Sequence, residues 1–171
     1  MSDAVKSLLR ELADYRYGAI GAHSVAQIER IDVEHSSLPT LGEMLCNQNT
    51  YSNVQAAILH CMESWRDSSA IDHVWRFLMS NRSSSLELQA VEVLCSLGRD
   101  GVMMGIEYVL AKSPREEIIS VVVSSCRDII EDLPMRHLRL MAQATTEEHR
   151  AVFEDEIRLR DKIHLELEGD W

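Results

Sequence analysis

Residues 86–122 read LELQAVEVLCSLGRDGVMMGIEYVLAKSPREEIISVV. Two apolar stretches meet at a short Gly-Arg-Asp-Gly break, and a Lys-Ser-Pro break leads into a third. Leu88, Val91 and Cys95 share one helical face, and Met103, Ile106, Val109 and Leu110 share another, at i, i+3, i+4, i+7 spacing. The same plan lies on either side. Upstream, Val54, Ala57, Ile58, Cys61, Met62 and Trp65 precede Ile71, Val74, Trp75, Leu78 and Met79. Downstream, Ile119, Val122, Cys126 and Ile129 precede Leu138 and Met141. Cys61, Cys95 and Cys126 therefore recur at intervals of 34 and 31 residues. A period in the thirties is the mark of stacked helical pairs rather than of one closed bundle, and short polar connections make neighbouring helices antiparallel. The expected fold is all-α.

Ser/Thr-x-x-Glu/Gln patterns accompany the helical stretches: Ser24 with Gln27, Thr40 with Glu43, Ser52 with Gln55, Ser84 with Glu87, Ser113 with Glu116, and Thr145 with Glu148. Such a capping box joins a hydroxyl to the N3 amide while the N3 side chain reaches back. Pro114 is expected at a first helical position, where its missing amide is not needed. Breaks are expected at Arg66-Asp67-Ser68-Ser69, 80–85, 98–101, 112–114 and 131–134. The β-branched run 119–125 reads as helix by its alignment with the earlier leading helices. The alternating Ile163, Leu165 and Leu167 also read as helix, because a lone strand has nothing to pair with. One domain is expected: N-terminal helices over 1–51 (near 3–16, 24–35 and 40–48), three helical pairs over 52–143, and a charged C-terminal helix over 144–171.

The formal charge of −11 is uneven. Residues 1–85 hold ten acids and seven bases, whereas 86–171 hold eighteen and ten. That field repels nucleic acid and anionic membrane and favours a basic protein partner. The first residues carry Asp3 and Glu11 and no continuous apolar core, unlike a signal peptide, and no apolar run reaches spanning length. The four cysteines occupy helical-core positions and read as reduced and buried, in keeping with a cytoplasmic setting.

Residues 52–143 resemble HEAT-like repeats. The residues that carry the likeness are Ala90, Leu94, Leu97 and Gly98 in a leading helix, Ile106, Val109 and Leu110 in the return helix, and Gln55-Ala56 and Gln89-Ala90 at equivalent places. Trp65-Arg66 stands where Leu-Gly would be, and the third repeat also lacks the glycine. The resemblance implies an α-solenoid that works by binding a protein. Some relatives handle tetrapyrrole chromophores, for which this chain has no residue signature. Others read DNA on a basic face, which 17 bases against 28 acids exclude.

No catalytic constellation is legible. Asp32 with His35, and Asp161 with His164, each place a carboxylate and an imidazole on one helix face, but di-iron bundles need two further glutamates. His60 and Cys61 are neighbours in sequence, so on a helix they point about 100° apart, and a thiol–imidazole pair needs contact. Gly18 to Gly21 and Gly98 to Gly101 are turns, not phosphate cradles. No metal or cofactor is expected. The expected function is non-catalytic binding, in its sharpest form an acidic immunity protein that blocks a basic nuclease-type toxin. The alternatives are a HEAT-like scaffold or adaptor, and a chromophore-lyase-like ligand-binding protein. The candidate contact residues are Trp65, Glu116, Glu117, Glu131, Asp132, Glu154, Asp155 and Glu156.

Overall fold

The computed structural model describes residues 38–50, 52–80 and 85–168. The expected helices near 3–16 and 24–35, the Ser24 box, Ser84, the Asp32–His35 pair and the turn at Gly18 to Gly21 lie outside the described residues. The fold is all-α. The described residues form eight α-helices and two 3-10 turns, with no strand. They are α1 (Leu38–Cys46), α2 (Ser52–Trp65), η1 (Ser68–Ala70), α3 (Ile71–Ser80), α4 (Glu87–Ser96), α5 (Arg99–Lys112), α6 (Glu116–Arg127), η2 (Ile130–Asp132), α7 (Met135–Ala144) and α8 (Glu147–Glu168). Among the described residues no helix is long and apolar enough to cross a membrane. The chain divides into two compact units, 1–104 and 105–171, and the division falls inside α5.

In the first unit α1 packs on α2 and α3, and α4 packs on both α2 and α3. That central place explains why Val91, Val93, Leu94 and Cys95 of α4 are all buried, giving it apolar character round most of its circumference. α2 buries Val54, Ile58, Leu59 and Met62, and α3 buries Val74, Phe77 and Leu78. Each side chain of that size contributes about 1.5–3 kcal/mol when withdrawn from water. Gly42 of α1 is there for close approach: a Cβ at that position would overlap the ring of His73 on α3. Trp75, expected in the core, is only half-buried, because α3 turns Val74 and Leu78 inward instead.

The two equivalent glutamines play equivalent parts. Gln55 donates through Nε2 to the Leu45 carbonyl (2.9 Å), and Gln89 donates through Nε2 to the Ala56 carbonyl (3.1 Å). Each therefore ties a helix to the one before it. Leu45 is in the last turn of α1, where carbonyls lack a partner within the helix, so Gln55 satisfies a group that would otherwise be orphaned.

The helix ends differ from the expected boxes. Thr40 lies inside α1, and Gln55 reaches across to α1 rather than back to Ser52. The N-cap of α4 is Leu86 and that of α6 is Arg115, neither with a side-chain cap bond. Pro114 therefore sits before the helix and not at its first position. Ser113 closes α5 instead, at φ +47 with its amide on the Val109 carbonyl. Thr145 closes α7, its Oγ1 donating to the Met141 carbonyl at 2.8 Å. The break at 98–101 is also shorter than expected, since Arg99 already begins α5. Polar residues mark where a helix ends, but which hydroxyl meets which amide depends on backbone path.

Arg66 shows the same distinction between residue type and conformation. It follows α2 at φ +50, and Gly98 follows α4 at φ +92. Arg66 is not a glycine, yet it takes the left-handed conformation after α2 that Gly98 takes after α4. A side chain there is strained, and glycine relieves the strain while adding freedom to the unfolded chain. Arg66→Gly is therefore expected to raise stability by roughly 0.5–1 kcal/mol. A lower urea midpoint in that variant would show that the arginine side chain more than offsets its backbone cost.

In the second unit α8 packs on α7, on α6 and on η2. Its core includes Tyr108, Ile118, Val122, Cys126, Leu133, Leu138, Met141 and Phe153, all buried. His137 of α7 meets Glu107 of α5 at 2.9 Å. Arg160 closes the turn at 130–133: Nη1 donates to the Leu133 carbonyl at 2.7 Å, Nη2 to the Ile130 carbonyl at 2.6 Å, and Nε to Glu156 at 2.6 Å. The alternating residues 163–167 are helical, as read from the sequence, since α8 continues through Glu168.

Candidate protein-interaction surface

Seven of the eight candidate residues belong to the second unit. Glu116 and Glu117 open α6, where a carboxylate complements the positive end of the helix. Glu116 contacts His149 Nδ1 at 3.1 Å and accepts from Thr146 Oγ1 at 3.4 Å. These contacts bring the start of α8 beside the start of α6. Two exposed carboxylates absent from the sequence-based set, Glu147 and Glu148, are thereby placed in the same neighbourhood. The signal for them was local: a Glu-Glu pair directly after two threonines is a helix start. Their nearness to Glu116 was not readable, because it depends on how α6 and α8 pack.

Glu117 faces water and pairs with Arg115 at 3.4 Å. Glu131 and Asp132 are exposed on η2. Glu154 and Asp155 share Arg158, at 3.6 and 3.5 Å, with all three side chains largely in solvent. Exposed pairs of this kind contribute about 0–1 kcal/mol and leave their charge available to a partner.

Glu156 has a different place. Its side chain is only 12% exposed, and it holds Arg160 against the 130–133 turn. Its charge is engaged inside the unit, and it serves to position Arg160. Trp65 belongs to the first unit, half-buried at the end of α2 beside the exposed Arg66.

The sites weighed for chemistry have other roles. His60 Nδ1 faces Glu63 Oε2 at 3.6 Å. Asp161 meets Arg139 at 3.5 Å. Among the described residues no three His, Cys, Asp or Glu side chains gather at one point. The half-buried Cys46 borders a hollow of about 360 Å³ with Gln55 and Phe77. Its Sγ donates to the His73 backbone carbonyl at 3.6 Å. Burial pushes the Cys46 thiol up, Arg76 opposes this and Glu43 adds to it. A groove of about 430 Å³ beside α7 and α8 is lined by Arg139 and Arg150. Arg139 answers Asp161, and Arg150 Nε donates to the Ala142 carbonyl at 2.9 Å, so both guanidinium groups are at least partly used within the unit.

None of the four cysteines is in a disulfide, and Cys61, Cys95 and Cys126 are buried as the helical spacing predicts. Burial pushes the Cys61 thiol from 9.0 up to about 12. The thiolate is the reactive form, so Cys61 should label in the native protein only as fast as the chain opens. The unfolded thiol ionises first as pH rises, so its contribution to stability is intact below pH 9.0 and is lost progressively toward about 12. Stoichiometric labelling of Cys61 within the dead time of a native-state experiment would contradict this.

No family model, no curated protein and no solved structure matches the chain.

Proposed function

We propose that this chain is a non-catalytic HEAT-like stack of antiparallel helical pairs that binds a basic protein, and that it acts as an immunity-type inhibitor of a basic, nuclease-type toxin. The observation that carries the reading is the acidic surface of the second unit, where Glu116 and Glu117 open one helix and Glu147 and Glu148 open another held beside it through His149. Exposed Glu131, Asp132, Glu154 and Asp155 extend the negative character to further helices and turns. The repeat reading is supported by the paired glutamine ties of Gln55 and Gln89 and by the left-handed residues Arg66 and Gly98. Carboxylates at helix starts also stabilise those helices locally, by about 0.3–1 kcal/mol each.

Low-salt capture followed by mass spectrometry supplies the partner, and association kinetics test the reading. Salt should slow association more than it speeds dissociation, because the surface acts chiefly on encounter. Reversing Glu116, Glu117, Glu147 and Glu148 to lysine should cut the on-rate by about tenfold or more, with the helical spectrum preserved. An on-rate indifferent to both salt and reversal would sink the proposal and leave the acids with solubility and helix capping alone.

A further inference from the structure

We infer that the groove between α7 and α8 binds a small organic monocarboxylate, with its carboxylate on the Arg150 guanidinium and its aliphatic part on Ile157 and Ala142. The groove follows from spacing. Arg139, Ala142 and Gln143 fall at i, i+3 and i+4 on α7, and Arg150, Glu154 and Ile157 fall at i, i+4 and i+7 on α8, so each set forms one stripe. The two helices pack on each other, and the stripes line a hollow of about 430 Å³, within the size range of small-ligand sites. Arg150 Nε donates at 2.9 Å to the carbonyl of Ala142, in the last turn of α7, where carbonyls lack a partner within the helix. That bond fixes the guanidinium plane. It leaves Nη1 and Nη2 with no hydrogen bond or ion pair among the described residues.

Charge and donor geometry select the ligand. Arg139 is paired with Asp161 at 3.5 Å, and Glu154 with Arg158 at 3.6 Å. Among the described residues that line the groove, Arg150 is then the one charge without a counter-ion, so the site matches a single negative charge. The end of a guanidinium presents two parallel N–H bonds, which match the two oxygens of a carboxylate. Exposed Gln143, next to the Ala142 that Arg150 holds, adds an amide donor on the facing stripe. The rest of the chain narrows the class. A net charge of −11 repels a polyanion, and the Glu154 carboxylate in the groove opposes a phosphate dianion more than a monoanion. Half-buried Ile157 and buried Ala142 give an aliphatic chain an apolar surface. One bidentate contact in an open groove gives weak binding, in the millimolar range. The inference does not rest on the toxin-binding reading, although Glu154 belongs to both surfaces.

Hexanoate titrated into the full chain, followed by NMR at the Arg150 Nε–H and Ile157 methyl signals, tests the site. Saturable shifts of both are expected at millimolar hexanoate. Hexanol, which lacks the carboxylate, should give none, and inorganic phosphate should bind about tenfold more weakly. Arg150→Gln, read at Ile157, should weaken hexanoate binding by about tenfold or more, and Arg150→Lys should recover only part of that loss. Glu154→Gln should tighten binding by about threefold, a gain that damage to the fold does not imitate. Arg115→Gln, in the turn before α6, is the control and should change nothing. Absence of saturable shifts overturns the inference, as does an affinity unchanged in Arg150→Gln or lowered in Glu154→Gln. Phosphate binding as tightly as hexanoate overturns it in favour of an unselective anion site, and equal shifts with hexanol overturn it in favour of apolar contact alone.

Discussion

Arg160→Ala is expected to lower stability by about 3 kcal/mol, because one guanidinium holds two backbone carbonyls and a carboxylate at once. Without it the Leu133 carbonyl loses its 2.7 Å donor and Glu156, 12% exposed, keeps a charge with no partner in Arg160's place. The geometry also explains why arginine is needed. A lysine brings one point of charge and cannot span Ile130, Leu133 and Glu156 with a planar fork, so Arg160→Lys should recover only part of the loss. Arg158, two residues earlier and 71% exposed, is the control, and Arg158→Ala should change stability by no more than about 0.5 kcal/mol. Urea unfolding followed by helical signal measures all three. Equal midpoints for Arg160→Ala and Arg158→Ala would mean that the clamp contributes nothing net.

Gly101→Ala should destabilise the first unit by about 2–3 kcal/mol. A Cβ at Gly101 would overlap the Leu94 carbonyl oxygen, which is backbone and cannot swing aside. The last turn of α4 and the first turn of α5 would have to separate. Gly98, three residues earlier, makes the useful contrast. Nothing lies within 4 Å of a Cβ there, so Gly98→Ala meets only the strain of φ +92, about 1 kcal/mol. Gly42→Ala meets the His73 side chain, which can rotate at the expense of its 2.7 Å contact with Arg76. The expected order of loss places Gly101→Ala first. If Gly98→Ala proves the more damaging, the helix junction is held by backbone conformation and not by close approach.

The helices themselves were legible because their cause is local. Val54, Ile58, Met62, Val91, Val122, Leu138 and Met141 sit at helical spacing, and all are buried. The cysteine rhythm marked three core positions for the same reason: Cys61, Cys95 and Cys126 are buried on α2, α4 and α6. Arg66-Asp67 follows α2 and Arg127-Asp128 closes α6, whereas Arg99-Asp100 already lies in the first turn of α5. The arginine suits the negative end of a helix, and the aspartate can serve the start of the next element, as Asp67 does by accepting the Ser69 amide at 2.9 Å.

The sequence by itself determined the helical character, the burial of Cys61, Cys95 and Cys126 and the acidic excess of the second half, since spacing, side-chain type and net charge are properties of the chain; Cys46, read as buried with them, is half-buried at the end of α1. Only the tertiary structure decided which residue ends each helix. A cap needs one hydroxyl to reach one amide, and Ser113 and Thr145 met the preceding helices instead. It also decided which acids face solvent. Glu154 and Glu156 each have an arginine four residues on, but only Arg160 packs against the 130–133 turn, so Glu156 is 12% exposed while Glu154 and Asp155 remain in water. Glu116 came to lie beside the start of α8 by the same kind of cause. Packing of buried faces such as those of Val122 and Phe153 sets where helix ends meet, and no local pattern encodes that distance.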